Sequence, residues 1–454
     1  MWSVGARRQL LVASIGGLSL FCSGASFTWV TPLLKQLQSP QSEVPMTADQ
    51  SSWVVSLIEI GNLFTPIPAG ILVDKWGRKP CLLFAAPLYV LSWLLVQFVR
   101  TVPSLYFMRI VQGMAMSVQY TILPMYIAEI SGPSRRGALS SVFQGMWYLG
   151  VLYQYVIGAF FGYTGLTWFS IGPPLVFMAL FAWCPESPYY LLMRGRRQDA
   201  AKVMAWLRGL SEDAAEPELK AIDDSILEER KQKSNWKDLV STKSGRKALL
   251  IVLVVSTTEI MSGLTTVLSY ISETIAETSG SQDEAEGVTI FLGVSLVLGT
   301  VLSACLSDRV GRRVLLLISS FATTLCLAAS ACYFFLKEMT STDVSVLGWF
   351  PYFTIILFTN FVSFGVGALI PTLQSEMFCN TTRGIACGIN TLHITILSFI
   401  CLKMYQVIGD NFGLYVNYSV FTAFTAFGTV CIFLYLPETK GKTFAEIQKM
   451  LQMD

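Results

Sequence analysis

The sequence predicts an all-α membrane protein: twelve transmembrane helices in two six-helix halves, joined by a cytoplasmic linker of short helices. Composition is the first observation behind this. Of 454 residues, 53% are hydrophobic and only 14% charged, with a mean hydropathy of +0.54, whereas soluble chains carry about 25% charged residues. The second is a set of twelve apolar runs, each close to the roughly 20 residues that cross a hydrocarbon core. The third is an internal repeat. Residues 70–79 read GILVDKWGRK and residues 304–313 read ACLSDRVGRR. Glu129 stands seven residues before Arg136-Gly137, and Glu376 seven before Arg383-Gly384. Pro185-Glu186-Ser187 closes the first half, and Pro437-Glu438-Thr439 closes the second. Paired markers in the same order, at nearly constant offsets, imply two parallel homologous halves. Such repeats of membrane helices belong to transporters.

In chain order, the first half (1–186) holds spans near 10–30, 53–73, 81–98, 105–130, 138–161 and 167–184. The second (248–436) holds spans near 248–271, 287–306, 314–335, 347–373, 384–407 and 416–436, and 437–454 form a tail. The first run is too long for a signal peptide and lacks a cleavage site, so it reads as the first membrane helix. Lys and Arg in short loops mark the cytoplasmic side. Arg7, Arg8, Lys75, Arg78, Lys79, Arg135, Arg136, Arg309, Arg312, Arg313, Arg383, Lys440 and Lys442 all fall on one side. The other side has chiefly Lys35, Arg100 and Lys337, and an acidic loop with Glu273, Glu277, Asp283, Glu284 and Glu286. Both termini are therefore expected in the cytoplasm. Residues 187–247 are dense in charge, and 200–210 and 216–233 have helical spacing of apolar positions, so this linker reads as amphipathic helices, with a disordered tether as the alternative.

Several function classes are excluded. The ten cysteines are scattered through apolar runs with no C-x-x-C spacing and read as small buried hydrophobes. His393 is the single histidine, which argues against a His-rich metal site. With no nucleophile constellation, metal cluster or phosphate loop, the sequence implies no enzyme and no cofactor; a net charge of +2 says little about partners, and nothing in the chain suggests nucleic acid. A small solute and the lipid bilayer are the partners it implies.

With the repeat, the spans and the linker in place, the chain resembles the sugar porter branch of the major facilitator superfamily. The resemblance rests on GILVDKWGRK, PMYIAEISGPSRRGAL (124–139), CPESPYYLL (184–192), SDRVGRR (307–313), SEMFCNTTRG (375–384) and LPETKGKTFAEI (436–447), six motifs in order across nearly the whole length. WVTPLL, MTADQSSWVVSLI and a short first external loop are most similar to the facilitated trehalose and glucose carriers of insects. The resemblance implies alternating access around a midplane cavity between the halves, with a sugar as substrate and no covalent chemistry.

Roles follow for named residues. Asp74 with Arg78, Glu129 with Arg136, Asp308 with Arg312, Glu376 with Arg383, and the closing acids Glu186 and Glu438 form an expected charge network that holds the halves together while the carrier faces outward. The competing reading is that the cations set topology and the acids cap helices. A sugar needs hydroxyl-matching groups and an aromatic wall. Gln144, among Phe143, Met146 and Trp147, matches the family's sugar-contacting glutamine on the fifth helix; an interhelical hydrogen bond is the alternative.

The second half departs from the family pattern. Residues 259–265 read EIMSGLT where sugar porters commonly show Q-Q-L-S-G-I-N, 365–371 read GVGALIP in place of G-P-G-P-I-P-W, and Ile394-Thr395 replace the usual N-W pair. Thr265 and Thr395 thus stand as altered contact positions. Glu259 falls near the middle of its span, where an ionised carboxylate costs on the order of 2.5–3.5 kcal/mol. It is read as accepting substrate hydroxyls, coupling transport to protons, selecting a cationic solute, or simply neutral and bonded to a neighbouring helix. Gly365, Gly367 and Pro371 are candidates for a bendable gate, though Gly also serves close packing. The first helix has no Asp or Glu, unlike proton-coupled sugar porters, which favours facilitated diffusion. A transport-inactive sensor that keeps the fold remains the other rival.

Overall fold

The computed structural model describes residues 4–132, 136–231, 236–306, 311–340, 345–378, 380–440, 442 and 444–453, and the side chains of 136–142, 228–231, 236–238, 303–306, 345, 375, 380–381, 444–445, 448 and 453 lie outside the description. Every regular element among the described residues is helical. The order begins with α1 (Val4–Thr28), a short 3-10 turn at Thr31–Leu33, α2 (Leu34–Gln38), α3 (Ala48–Phe64), α4 (Pro66–Trp76), α5 (Arg78–Phe98), α6 (Val102–Ile130), α7 (Arg136–Phe160) and α8 (Tyr163–Phe181). The linker follows as α9 (Pro188–Met193), α10 (Arg197–Arg208), α11 (Glu212–Lys231) and α12 (Trp236–Ser241). The second half is α13 (Lys243–Ile260), α14 (Leu264–Ser279), α15 (Gln282–Leu306), α16 (Arg312–Met339), α17 (Phe350–Phe361), a π-helical turn at Val362–Gly367, α18 (Ala368–Met377), α19 (Asn380–Phe412), α20 (Leu414–Tyr435) and the terminal α21 (Phe444–Met453).

Among the described residues, nine helical stretches are long and apolar enough to cross a membrane, and α3 with α4, bent by 48°, makes a tenth. The 29-residue α6 and 25-residue α7 supply two more, which gives the twelve spans that the sequence predicts. Three spans expected as continuous are interrupted. The second breaks at Thr65, where Pro66 and Pro68 follow and cannot donate to the preceding turn. The seventh breaks at Gly263, whose φ of +81° starts α14 and whose Cα faces the ring of Phe421 on α20, so that a Cβ there would overlap the ring. Both features require glycine. The tenth opens into the π turn between α17 and α18, a geometry that concentrates at functional sites.

The chain divides into two compact units. One contains 1–29 with 60–233, the other 30–59 with 234–454. In the first, α1 and α7 meet backbone to backbone: a Cβ on Gly24 would strike the carbonyl of Trp147, and one on Gly150 the carbonyl of Phe21. Membrane helices use small residues for this approach, since lipid tails are as apolar as any side chain. The linker belongs to this unit as far as residue 233, and α9, α10 and α11 lie in that part. Its apolar positions Leu191, Leu192, Ala200, Met204 and Leu219 form a small core of their own. The C-terminal carbonyls of α10 are met by the start of α1, Arg8 donating to Trp206 O at 2.9 Å and Gln9 to Leu207 O at 3.0 Å. Arg208 reaches Ile130 O at 2.9 Å while forking onto Glu218 at 2.7 and 2.9 Å. In the second unit, Ile447 and Leu451 of α21 pack into a core with Val252, Leu369, Leu373 and Leu436.

Candidate functional site

The repeat motifs build the same device twice. In the first unit, Gly77 takes a φ of +105° between α4 and α5, a region that side chains rarely enter. This turn aims the first amides of α5 at Glu186: Arg78 N and Lys79 N donate to its carboxylate at 3.1–3.2 Å, and Ser187 N at 2.7 Å. A carboxylate here answers the orphan amides and positive end of the helix. Burial pushes the Glu186 carboxyl above the usual carboxylate range, against the pull of those amides. Next to it the Arg78 side chain, 2% exposed, forks onto Glu129 of α6 with contacts of 2.9, 3.0 and 3.1 Å. Asp74, much more exposed, lies 3.5 Å from the same guanidinium. Tyr189 and Tyr190 put their rings 5.7 and 5.5 Å from it.

In the second unit, Glu438 accepts from Arg312 N at 3.0 Å and Arg313 N at 3.2 Å at the start of α16, and from Lys440 N, two residues after it, at 2.9 Å. The Arg312 side chain meets Glu376 of α18 at 3.3 Å. Arg383 donates to Phe378 O at 3.2 Å. Asp308 and the side chain of Arg136 lie outside the described residues. The described partners of each set belong to its own unit, and the closing acids Glu186 and Glu438 act through main-chain amides more than through cations.

Three of the four predicted solute contacts, Gln144, Glu259 and Thr265, share one physical property. Gln144 on α7 is half-buried, and among the described residues its amide has no partner. The indole N–H of Trp147, one turn on, is buried without one. Around them Phe143 and Tyr120 pair at 5.5 Å and Trp147 and Phe27 at 5.8 Å, an aromatic lining inside the first unit. In the second unit the Glu259 carboxylate accepts no hydrogen bond among the described residues, and the Thr265 hydroxyl is buried without a partner. Polar groups inside a membrane protein are normally satisfied, and the same lack of a partner recurs at Gln97 Oε1, Ser117 Oγ and Thr323 Oγ1 among the described residues. Thr395 differs, because its hydroxyl donates back to Thr391 O at 2.8 Å and is buried. His393 joins α19 to α13 through Thr257 Oγ1 at 2.8 Å. The gate glycines serve different neighbours: a Cβ on Gly365 would overlap Ser319 of α16, and one on Gly367 would lie 2.6 Å from Glu259 Oε1. Pro371 sits inside α18, where its ring removes one main-chain bond.

The family model described as "Sugar (and other) transporter" matches residues 10–451. The chain belongs to this family. It is accordingly a multi-pass membrane protein of a transporter family, not an enzyme. It is 29% identical to the facilitated trehalose transporter Tret1 of Polypedilum vanderplanki over 98% of this chain and 88% of that one. It is 28% identical to Tret1 of Anopheles gambiae over 98% of this chain and 56% of the relative, and 29% identical to that of Aedes aegypti, covering 55% of it. The chain therefore spans about half the length of these two mosquito relatives. Among solved structures, the inward open conformation of the xylose transporter XylE from E. coli aligns with a TM-score of 0.78 at 20% identity, over 97% of this chain and 98% of that one. A partially occluded inward open conformation of XylE gives 0.77 at 22%, over 96% and 99%. These likenesses fix the fold: two six-helix halves of the major facilitator type.

Sequence reasoning about this family member missed three arrangements. Arg109 on α6 is fully buried and donates to the α1 carbonyls of Ser26 at 2.5 Å and Phe27 at 3.3 Å. The second unit holds a polar cluster on α3 and α19, in which Lys403 Nζ bonds Asp49 Oδ1 at 2.6 Å and Ser52 Oγ at 2.7 Å and stands 4.5 Å over the ring of Trp53. Lys403 was read as part of an apolar span, although one cation in such a run is itself the signal. Glu59, given no role in the sequence reading, is buried at 4% exposure and accepts from Ser398 at 2.7 Å. A cavity of about 230 Å³ near Glu273, Glu277, Tyr405 and Asp410 completes this unit, and neither Glu259 nor Thr265 lines it.

Proposed function

We propose that the chain carries a sugar, trehalose or a hexose, down its gradient across the cell membrane by alternating access, with both termini in the cytoplasm. The observation that carries this reading is the family match along residues 10–451, joined to unspent hydrogen-bonding groups at Gln144, Glu259 and Thr265. Sugar hydroxyls donate and accept, so an amide, a carboxylate and a hydroxyl complement them. The names of the relatives, facilitated trehalose transporters, and a XylE structure bound to 6-bromo-6-deoxy-D-glucose, which aligns over 98% of each chain with a TM-score of 0.76 at 22% identity, support the substrate class. In this reading the motif charges, Asp74, Arg78, Glu129, Arg136 and Glu186 with Asp308, Arg312, Glu376, Arg383 and Glu438, latch and unlatch as access alternates. The π turn and Pro371 supply the bend of the gate.

Uniport is favoured because α1 contains no Asp or Glu and meets Arg109 with main-chain carbonyls. The second reading, proton coupling or cation selection at Glu259, draws on the lack of a partner for that carboxylate. Uptake of radiolabelled trehalose, glucose and other small solutes into oocytes, across external pH, separates them. Saturable sugar uptake that only equilibrates and ignores a pH step is expected. Accumulation driven by the pH step overturns uniport, and ligand binding without flux makes the chain a sensor.

A further inference from the structure

The cavity of the second unit has no part in the sugar reading, and its lining carries uncancelled charge. It lies at the opposite end of α16 from Arg312, where the ends of α14 and α19 meet the start of α20. Carboxylates of Glu273, Glu277, Glu338 and Asp410 line it, against the one ammonium of Lys337 among the described lining residues. Part of this lining is spent on the fold. Gly413 takes a φ of +95° and aims the first amides of α20 at Glu338, Leu414 N donating at 3.1 Å and Tyr415 N at 3.4 Å, as Gly77 does for Glu186. Lys337 donates to Thr278 O at 3.2 Å, Tyr405 and Thr274 share a bond of 3.0 Å, and Glu273 Oε1 accepts from Gln38 at 2.9 Å. The carboxylates of Glu277 and Asp410 and the second oxygen of Glu273 accept nothing among the described residues. Gln406 is the second observation. It is 7% exposed and its Oε1 accepts from Ser51 at 3.1 Å, while its Nε2 donates to nothing among the described residues. Unlike the sealed amide oxygen of Gln97, this buried amide opens on a cavity that it lines.

We propose that this cavity binds a small organic ammonium ion that also carries a hydroxyl oxygen, an amino alcohol by chemical class. An ammonium, protonated at neutral pH as a lysine side chain is, brings three donors to Glu277, Asp410 and the free oxygen of Glu273, and the hydroxyl oxygen accepts from Gln406 Nε2. Glu273 and Glu277 stand one turn apart on α14, and Gln406 and Asp410 one turn apart on α19, so each pair shares a helix face and an occupant ties the two helices together. A metal ion fits less well, because the described carboxylates do not gather into a group of three that could hold one. A neutral polyol leaves the repulsion among the carboxylates in place. The volume of about 230 Å³ matches roughly seven waters at about 30 Å³ each, the bulk of a small ion and not of a disaccharide. The site is independent of the sugar reading, since neither Glu259 nor Thr265 lines it.

The test follows the thermal midpoint of the purified full chain in detergent, titrated with ethanolamine, ethylammonium, calcium or glucose at constant ionic strength. Ethanolamine should raise the midpoint saturably, since a ligand that binds only the folded state stabilises it. Ethylammonium, which lacks the hydroxyl, should bind at least threefold more weakly. Glu277 and Asp410 are exposed at the mouth of the cavity, so Glu277→Gln with Asp410→Asn should fold normally and raise the ethanolamine Kd at least tenfold. Gln406→Leu should erase the difference between ethanolamine and ethylammonium. Should that variant fail to fold, the wild-type preference for ethanolamine supports the hydroxyl contact and its absence overturns it. No saturable rise with ethanolamine, or a rise that the double variant keeps, overturns the site. Tighter binding of calcium that the double variant abolishes makes this a metal site, and a glucose response abolished in the same way makes it a polyol site; either overturns the ammonium assignment.

Discussion

Replacing Arg78 by Met removes the cation but keeps most of the apolar stem, and leaves Glu129 facing a buried site. The wild-type guanidinium is 2% exposed and Glu129 14%, so solvent screens the pair poorly. Removing one partner of such a pair costs about 3–5 kcal/mol, because an uncompensated charge remains. Arg78→Met should therefore lower the thermal midpoint by roughly 6–20 °C, taking about 2–4 °C per kcal/mol for a unit of this size. Glu129→Leu should fall in the same range, and the double variant should regain most of the loss, since replacing both members of a buried pair by apolar groups is nearly neutral. Arg78→Lys should lie between, because an ammonium cannot fork onto both carboxylate oxygens as Arg78 does. Scanning fluorimetry of the detergent-solubilised protein reads all four. A shift under about 2 °C for Arg78→Met, or strictly additive losses in the double variant, would refute the picture of a coupled pair held out of water.

The other predictions concern the helix starts and the Lys403 cluster. Because burial raises the Glu186 carboxyl, the folded state binds its proton more tightly than the unfolded state, so its contribution is present at low pH and lost as pH rises through the carboxylate range; Glu186→Gln should flatten that part of the stability profile, and a constant difference from wild type between pH 4 and 7 would count against it. Gly77→Ala should cost about 1–3 kcal/mol from its backbone region alone, and its Cβ would also meet the Glu186 carboxylate and the Tyr190 ring; an unchanged thermal midpoint would contradict this. Lys403→Met should lose about 1–2 kcal/mol through Trp53 and Ser52, whereas Asp49→Ala, at a carboxylate 71% exposed, should lose less than about 1 kcal/mol. The reverse ranking by fluorimetry would place the weight of the cluster on the ion pair.

The twelve spans and the doubled motifs were legible because both are one-dimensional signals: runs of apolar residues, and acids beside cations at matched offsets. What Glu186 and Glu438 do was only half legible. Charge suggested cation partners, but each carboxylate bonds amides more than a hundred residues away, and an amide leaves no trace in the sequence. Helix breaks were lost for a related reason. Membrane helices tolerate proline, so Pro66 did not force a break on hydropathy alone, and the need for glycine at position 263 depends on Phe421 in another helix. Thr395 is a case where the local rule was available, since a threonine within a helix tends to bond the carbonyl four residues back. The contact of Glu259 with Gly367 lay beyond any reading of the chain by segments, because it joins two helices far apart in sequence.

The glycine seam of α1 and α7 has a consequence for where anything can pass. Two main chains in direct apposition at Gly24 and Gly150 leave no gap wide enough for an acyl chain or a solute along that line. Lateral entry from the bilayer, if it occurs in this unit, must use another cleft, and a cysteine introduced at either glycine would meet a wall of backbone and not a passage.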